Sequence, residues 1–452
     1  MTPTGDIVLL SLYELGRPPL GVAAAAAFLE RAGHAPVVFD LAVRALDDEV
    51  LAVCAGARLI AVSVPMHTAL RLALAALPRL RAAAPRAHIA FYGLYAPLHA
   101  PALLAAGVDS VLGGECEDEL VALADGGAAP TGPVVPLRRL AFPVPARAGL
   151  PPLSAYARLV AADGSLRLAG AVEATRGCKH MCRHCPIPAV YGGRFFAVPV
   201  DVVLADATQQ IAAGARHLTF ADADFLNAPR HALAVARALH RAHPEVTFDV
   251  TTKVEHILRH QGALPALAEA GCVFVVSAVE SLSDAILAIL DKGHTAAHVA
   301  PALDAVRSAG LSFRPTFLPF TPWTTAADYL ALVHFILAHD LVGEVDPIQL
   351  ALRLLIPPGS LLLARPELTP HLGPLDPEAL TYRWVHPDAR LDALQVEIQA
   401  LVEADAAAGA PAEDTFVAIH DRAAARLGGR PLSRRPSRSR SPVAHLSEPW
   451  FC

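Results

Sequence analysis

Residues 173–186 read Glu-Ala-Thr-Arg-Gly-Cys-Lys-His-Met-Cys-Arg-His-Cys-Pro, with Cys178, Cys182 and Cys185 in a C-x3-C-x2-C spacing. Thiols this close cannot form an orderly set of disulfides. Three are also one short of the four that close a structural zinc site or ligate every iron of a cluster. One metal position is therefore left open. The run follows an apolar, strand-like stretch at 168–174 and a Thr-Arg-Gly turn, and it precedes a helix opened by Pro199 and Asp201. It thus occupies a loop after a strand, which in barrel folds is the catalytic end. A zinc knuckle completed by His180 or His184 is the competing reading of the bare triad.

The 452 residues suffice for two or three domains with large cores. Charged residues interrupt every apolar run before about 20 residues, so no membrane span is expected. The N-terminus lacks the layout of a signal peptide, and seven unevenly placed cysteines do not form a secreted disulfide framework. A reducing cytoplasm is the expected compartment. The net charge of −6 gives no reason to expect nucleic-acid binding. Of 37 basic residues all but Lys179, Lys253 and Lys292 are arginine. An ammonium is a compact point charge and a guanidinium a planar fork, so lysines retained against such a bias are candidates for specific tasks.

Residues 1–125 alternate short apolar strands (7–12, 36–40, 59–64, 88–92 and 110–112) with Ala/Leu-rich helices. This predicts a doubly wound parallel sheet with its ligand crevice at the carboxyl ends of the strands. A Pro/Gly/Ala-rich linker spans 126–165. Alternation resumes at 166–370, with strands expected at 172, 218–221, 246–251, 273–279, 312–318 and 348–354. Residues 371–428 read as helical, and 429–452 as a disordered basic tail.

The triad resembles that of the radical SAM enzymes, with His184 where an aromatic residue usually precedes the third cysteine. The resemblance implies a (β/α)6 partial TIM barrel whose three cysteines hold three irons of a 4Fe-4S cluster, the fourth chelating S-adenosylmethionine. It implies an external one-electron donor such as flavodoxin or ferredoxin, and a 5′-deoxyadenosyl radical that attacks an unknown small molecule or peptide. The N-terminal sheet, with Gly113-Gly114-Glu115 after its last strand, resembles the cobalamin-binding domain of one radical SAM class. No Asp-x-His-x-x-Gly follows the first strand, where the chain reads Leu12-Tyr13-Glu14-Leu15-Gly16-Arg17. The departure leaves two alternatives: cobalamin held without a histidine ligand, or a domain that keeps the fold alone. A non-catalytic iron–sulfur or zinc protein is the reading from a different class.

Candidates for cofactor contact sit at the expected strand ends. Asp222 and Asp224 point the same way if their strand persists, while Asp224 and Asn227 are also suited to capping a helix. Lys253 and Glu255 follow the third strand. Glu280-Ser281, with Lys292-Gly293-His294-Thr295 beyond, resemble the family's Gly-x-Glu-Ser and Lys-Gly-x-Thr segments, which implies contact with S-adenosylmethionine. Arg314 on the fifth strand is a candidate fork for the cofactor's carboxylate.

The last six residues are Ser-Glu-Pro-Trp-Phe-Cys. With the architecture, they resemble a radical SAM group whose tails finish in Cys-Cys-Ala-Glu-Pro, or the same with selenocysteine second. The resemblance implies that Cys452 is half of a thiol–selenol pair on a mobile arm; a natural end with a spare cysteine is the alternative. The genomic DNA decides between them. A UGA-type codon after Cys452, continuing in frame as Ala-Glu-Pro or similar, is the expected finding, and any other stop codon refutes it.

Overall fold

The structure, a computed structural model, describes residues 5–430 and 443–448. Cys452 and its proposed pairing lie outside these residues. Strands β1 (Ile7–Ser11), β2 (Val37–Asp40), β3 (Leu59–Ser63), β4 (His88–Tyr92) and β5 (Ser110–Leu112) form a parallel sheet in the order β2-β1-β3-β4-β5. β1 and β3 are buried throughout. Helices cover both faces of such a sheet, so its central strands read as unbroken apolar runs. The strand order reverses between β1 and β3, placing a crevice beyond their carboxyl ends.

The second sheet begins with an antiparallel hairpin of β6 (Arg158–Val160) and β7 (Leu166–Val172). A small antiparallel pair, β8 (Thr175–Gly177) and β9 (Phe195–Ala197), brackets the cysteine run. β10 (His217–Phe220), β11 (Thr247–Thr251), β12 (Cys272–Glu280) and β13 (Ser312–Phe317) then extend β7 in parallel. Side chains alternate across these strands. Leu218, Phe220, Phe248, Val250, Val275 and Phe313 pack under the outer helices. His217, Thr219, Asp249, Phe274 and Arg314 take the other, concave face, where Asp249 accepts hydrogen bonds from His217 (2.9 Å) and Thr219 (2.7 Å).

Three local expectations are corrected. The sixth strand, expected at 348–354, is reduced to a 3-10 turn at Pro347–Leu350 and an isolated parallel bridge between Phe320 and Arg353. Gln349 replaces the missing ladder in part, its Oε1 accepting from the Phe317 N–H at 3.2 Å. The region after 371 opens not with a helix but with a hairpin, β14 (Leu372–Asp376) and β15 (Thr381–Trp384), before the helices Ala389–Ala408 and Ala412–Leu427. Residues 443–448 of the expected disordered tail are placed in the sheet: β16 (His445–Leu446) pairs antiparallel with β6. Ala444 and Leu446 there join Leu159 and Ala161 against Phe274 and Val276 of β12. The sheet is curled enough for its edge to meet its middle.

Phe248 is fully buried and lies edge-on to Phe220, ring centroids 5.4 Å apart. Phe248→Ala should lower unfolding free energy by about 3–5 kcal/mol, measured by urea denaturation. A loss under about 1 kcal/mol would show that this helix–sheet core is loosely packed.

Candidate active site at the cysteine loop

Three local features shape the loop. Gly177 (φ +75°) turns the chain where a Cβ would lie 2.5 Å from the Arg194 carbonyl, so only glycine fits. Cys185 takes the extended position before the short helix Pro186–Tyr191, with proline pre-set in its first turn. Between them, Cys178 and Cys182 are buried. Burial pushes the Cys178 thiol up and the Cys185 thiol up to about 12, so thiolates are costly here without a cation. Lys292, itself buried, supplies one nearby charge. Burial opposes the charge on Lys292, but Glu280 and the triad thiols outweigh it and raise its pKa. A cluster of iron ions fits this donor set: three neighbouring sulfurs that need positive charge, and no fourth cysteine in the loop.

Asp222 and Asp224 do not act as a pair. The strand ends at Phe220, and the two carboxylates turn to different elements. Asp222 accepts from the Ala174 N–H (2.9 Å) and the Thr175 hydroxyl (2.5 Å), fixing the entry to the cysteine loop. Asp224 caps the turn Phe225–Asn227 through the Leu226 N–H and accepts from the Thr252 hydroxyl at 2.7 Å. Its second oxygen faces His256 and His180. Burial opposes its charge, yet the nearby His180 and His256 and the Thr252 hydroxyl prevail and hold it below the usual carboxylate range. Asn227, expected as a cap, lies instead on the loop, its side chain 3.8 Å from the Cys178 sulfur and its carbonyl accepting from Lys179 at 2.8 Å.

At the end of β12 a register shift and a left-handed Glu280 (φ +66°) re-aim the chain. A non-glycine residue held there costs roughly 1–3 kcal/mol and is retained only where its surroundings demand it. The turn brings the Glu280 carboxylate to 3.2 Å from both Lys292 and His184. Burial would raise its pKa, but Lys292 first and His184 second bring it down to about 2. Lys253 lies 3.7 Å from Glu255. Ser281 is buried and accepts from the Ser283 N–H; Ser283 begins the next helix without a side-chain cap. Arg314 is set apart from this ring. Its guanidinium pairs with Asp346 at 3.2 Å and lies over Phe274.

The sequence reading missed Arg176. Its guanidinium, stacked over Phe142, binds Glu117 from the first sheet domain and Glu173 (2.7 Å), with Glu115 at 3.6 Å. Burial raises Glu115 to about 7, and the Tyr191 hydroxyl donates to it. This knot borders a cavity of about 340 Å³ between the carboxyl ends of the first sheet and the cysteine loop, lined by Glu14, Met66, Tyr92, Gly93, Gly114 and Ile187 among others. A second cavity of about 690 Å³ reaches the ring from the other side past Arg71, His184, Glu280, Thr316, Gln349 and Arg353.

Burial raises Asp222 to about 7, from a normal 3.8. The folded state therefore holds its proton more tightly than the unfolded chain, and this contribution to stability is full below pH 4 and is lost as pH rises to about 7. Asp222→Asn, with the Thr175 hydroxyl rotated to accept, removes the titration. Relative to that variant, the wild type should lose at most ~4 kcal/mol between pH 4 and 7, then stay level. Urea midpoints across that range test it, and a pH-independent difference refutes it.

Comparison with known proteins agrees with this geometry. Residues 172–336 match the family model of the radical SAM superfamily. No curated protein matches the chain in sequence. Among solved structures, the cobalamin-dependent S-adenosylmethionine radical enzyme OxsB, with aqua-cobalamin bound, superposes with a TM-score of 0.69 at 14% identity, over 89% of this chain and 67% of its own. The radical S-adenosylmethionine methyltransferase TsrM from Kitasatospora setae, with cobalamin and a [4Fe-4S] cluster, gives 0.57 at 18% over 74% and 73%. At such identities the likeness is one of fold. The open three-cysteine loop at the mouth of a curled parallel sheet is thus part of a radical SAM domain at residues 172–336, set behind a sheet domain in the arrangement seen in cobalamin-dependent radical SAM enzymes.

Proposed function

We propose that this protein is a radical SAM enzyme that modifies an organic substrate through a 5′-deoxyadenosyl radical. One observation carries the reading: three neighbouring thiols on one loop, two of them buried, stand close to the Lys292–Glu280 pair. Cys178, Cys182 and Cys185 would hold the 4Fe-4S cluster, which with S-adenosylmethionine bound supplies one-electron cleavage of the sulfonium bond. The protein's part is orientation and charge. Glu280, ionised at neutral pH, is placed to hold an ammonium or hydroxyl group of the cofactor. Lys292 offsets the negative charge gathered at the sulfurs, and Lys253 offers a second cation at the neighbouring strand end.

The cavity between the domains is the proposed cobalamin site. It lies at the switch point of the first sheet and faces the cysteine loop. Its lining includes Gly93 and Gly114 but no histidine. The residues fit a cobalamin without a protein histidine ligand, and methyl transfer to an unreactive carbon is the corresponding reaction. The substrate, a small molecule or peptide, would enter by the larger cavity. A flavodoxin or ferredoxin is the proposed electron donor.

Anaerobically reconstituted protein given dithionite and S-adenosylmethionine should release 5′-deoxyadenosine, and alanine at any one of the three cysteines should abolish the release. Unchanged release from the triple alanine variant would overturn the proposal. In parallel, the protein should take up one equivalent of cobalamin with the absorption of a form lacking a histidine ligand. No uptake under conditions that fill the cluster would leave the first domain structural.

A further inference from the structure

We propose that His180, Asp224 and His256 bind a divalent first-row metal ion, separate from the cysteine-held cluster, that staples the cysteine loop to two strand ends of the barrel. The three residues come from three elements: the cysteine loop, the turn after β10, and the helix Val254–Arg259 after β11. One potential ligand atom from each falls within 4.8 Å of the others. Around a tetrahedral ion with bonds of 2.0–2.1 Å, neighbouring ligand atoms stand about 3.4 Å apart. Here His180 Nε2 lies 3.2 Å from His256 Nε2 and 3.5 Å from Asp224 Oδ2.

A second observation points to a ligand. Asp224 and His256 have no exposed side-chain surface, and Asp224 Oδ2 is buried with no aligned hydrogen-bond partner, its nearest contacts being His256 Nδ1 at 2.7 Å and His180 Nε2 at 3.5 Å. Unsatisfied buried polar atoms are rare in folded proteins, and an ion is one of the few things that satisfies them. The supporting contacts have the form expected behind metal ligands. Asp224 Oδ1 is held by the Thr252 hydroxyl and the Leu226 N–H, leaving Oδ2 free to point inward. Glu255 stands 3.9 Å behind His180 Nδ1. Two imidazoles and one carboxylate suit Zn²⁺ or Fe²⁺ with a position left for water.

Such an ion would fix His180, and with it the backbone between Cys178 and Cys182, whether or not the cluster is loaded. The rival arrangement is a proton relay, Asp224 to His256 to His180, which takes up no metal. The test uses the full chain carrying Cys178→Ala, Cys182→Ala and Cys185→Ala, so that neither the cluster nor the radical chemistry enters the result. This protein is equilibrated with Zn²⁺ or Co²⁺, desalted and analysed for metal, before and after adding His180→Gln or His256→Gln. His180→Gln alters only the half-buried member, and circular dichroism with thermal melting verifies folding.

The expected result is one equivalent of ion lost in both variants, with the Co²⁺ form showing ligand-field bands and no thiolate charge transfer. The absence of stoichiometric metal in the parent, or equal metal in parent and folded variants, would overturn the site in favour of the relay.

Discussion

The structure depends on a buried guanidinium. Arg176 lies one turn before the cysteine loop and gathers carboxylates from both domains, so the loop's position is tied to that of the first sheet. Taking such charges from water is costly unless they are paired and hydrogen-bonded. Three carboxylates around one guanidinium would leave excess negative charge. The knot limits this because burial raises Glu115 to about 7, leaving it partly protonated at neutral pH. A planar fork can serve two partners while stacking on Phe142, which an ammonium could not do. A charged knot thus borders the cavity between the domains, whose lining is otherwise largely apolar.

Opposite this knot, the ring around Glu280 uses compact charge. Lys292 sits on Glu280; the chain's other two lysines lie elsewhere at the barrel's loops, Lys179 on the Asn227 carbonyl and Lys253 near Glu255. Lys292 is 3% exposed, and its place beside buried sulfurs suits a small ammonium better than a fork. The rarity of lysine is readable in the composition, and all three lie between residues 172 and 336.

Much of the fold was legible for similar local reasons. Buried parallel strands are apolar along their length, so both sheets stood out from the helices between them. The triad showed its loop because ligand spacing is a local property. Contacts between distant segments left no such mark. Nothing near Arg176 signals Glu117, and nothing near Arg314 signals Asp346, so the first was overlooked and the second cast as a cofactor ligand. Asp222 and Asp224 share a face only if their strand persists, and it ends at Phe220. The sixth strand failed because the 347–350 turn presents apolar residues without a ladder partner, and burial alone does not distinguish the two.

The small strand β16 bears on when the barrel is completed. It joins β6 through contacts such as that between Arg158 and Ser447, 289 residues apart in sequence. At ribosomal speeds of about 5–20 residues per second, the edge strand follows its partner by roughly 15–60 s. For the later part of that interval, roughly 8–33 s, β12 has been made, yet Phe274 and Val276 lack the cover that Ala444 and Leu446 later provide. The nascent barrel therefore passes through a stage with an open flank, in which apolar side chains of β12 stay uncovered until residues 444–446 arrive.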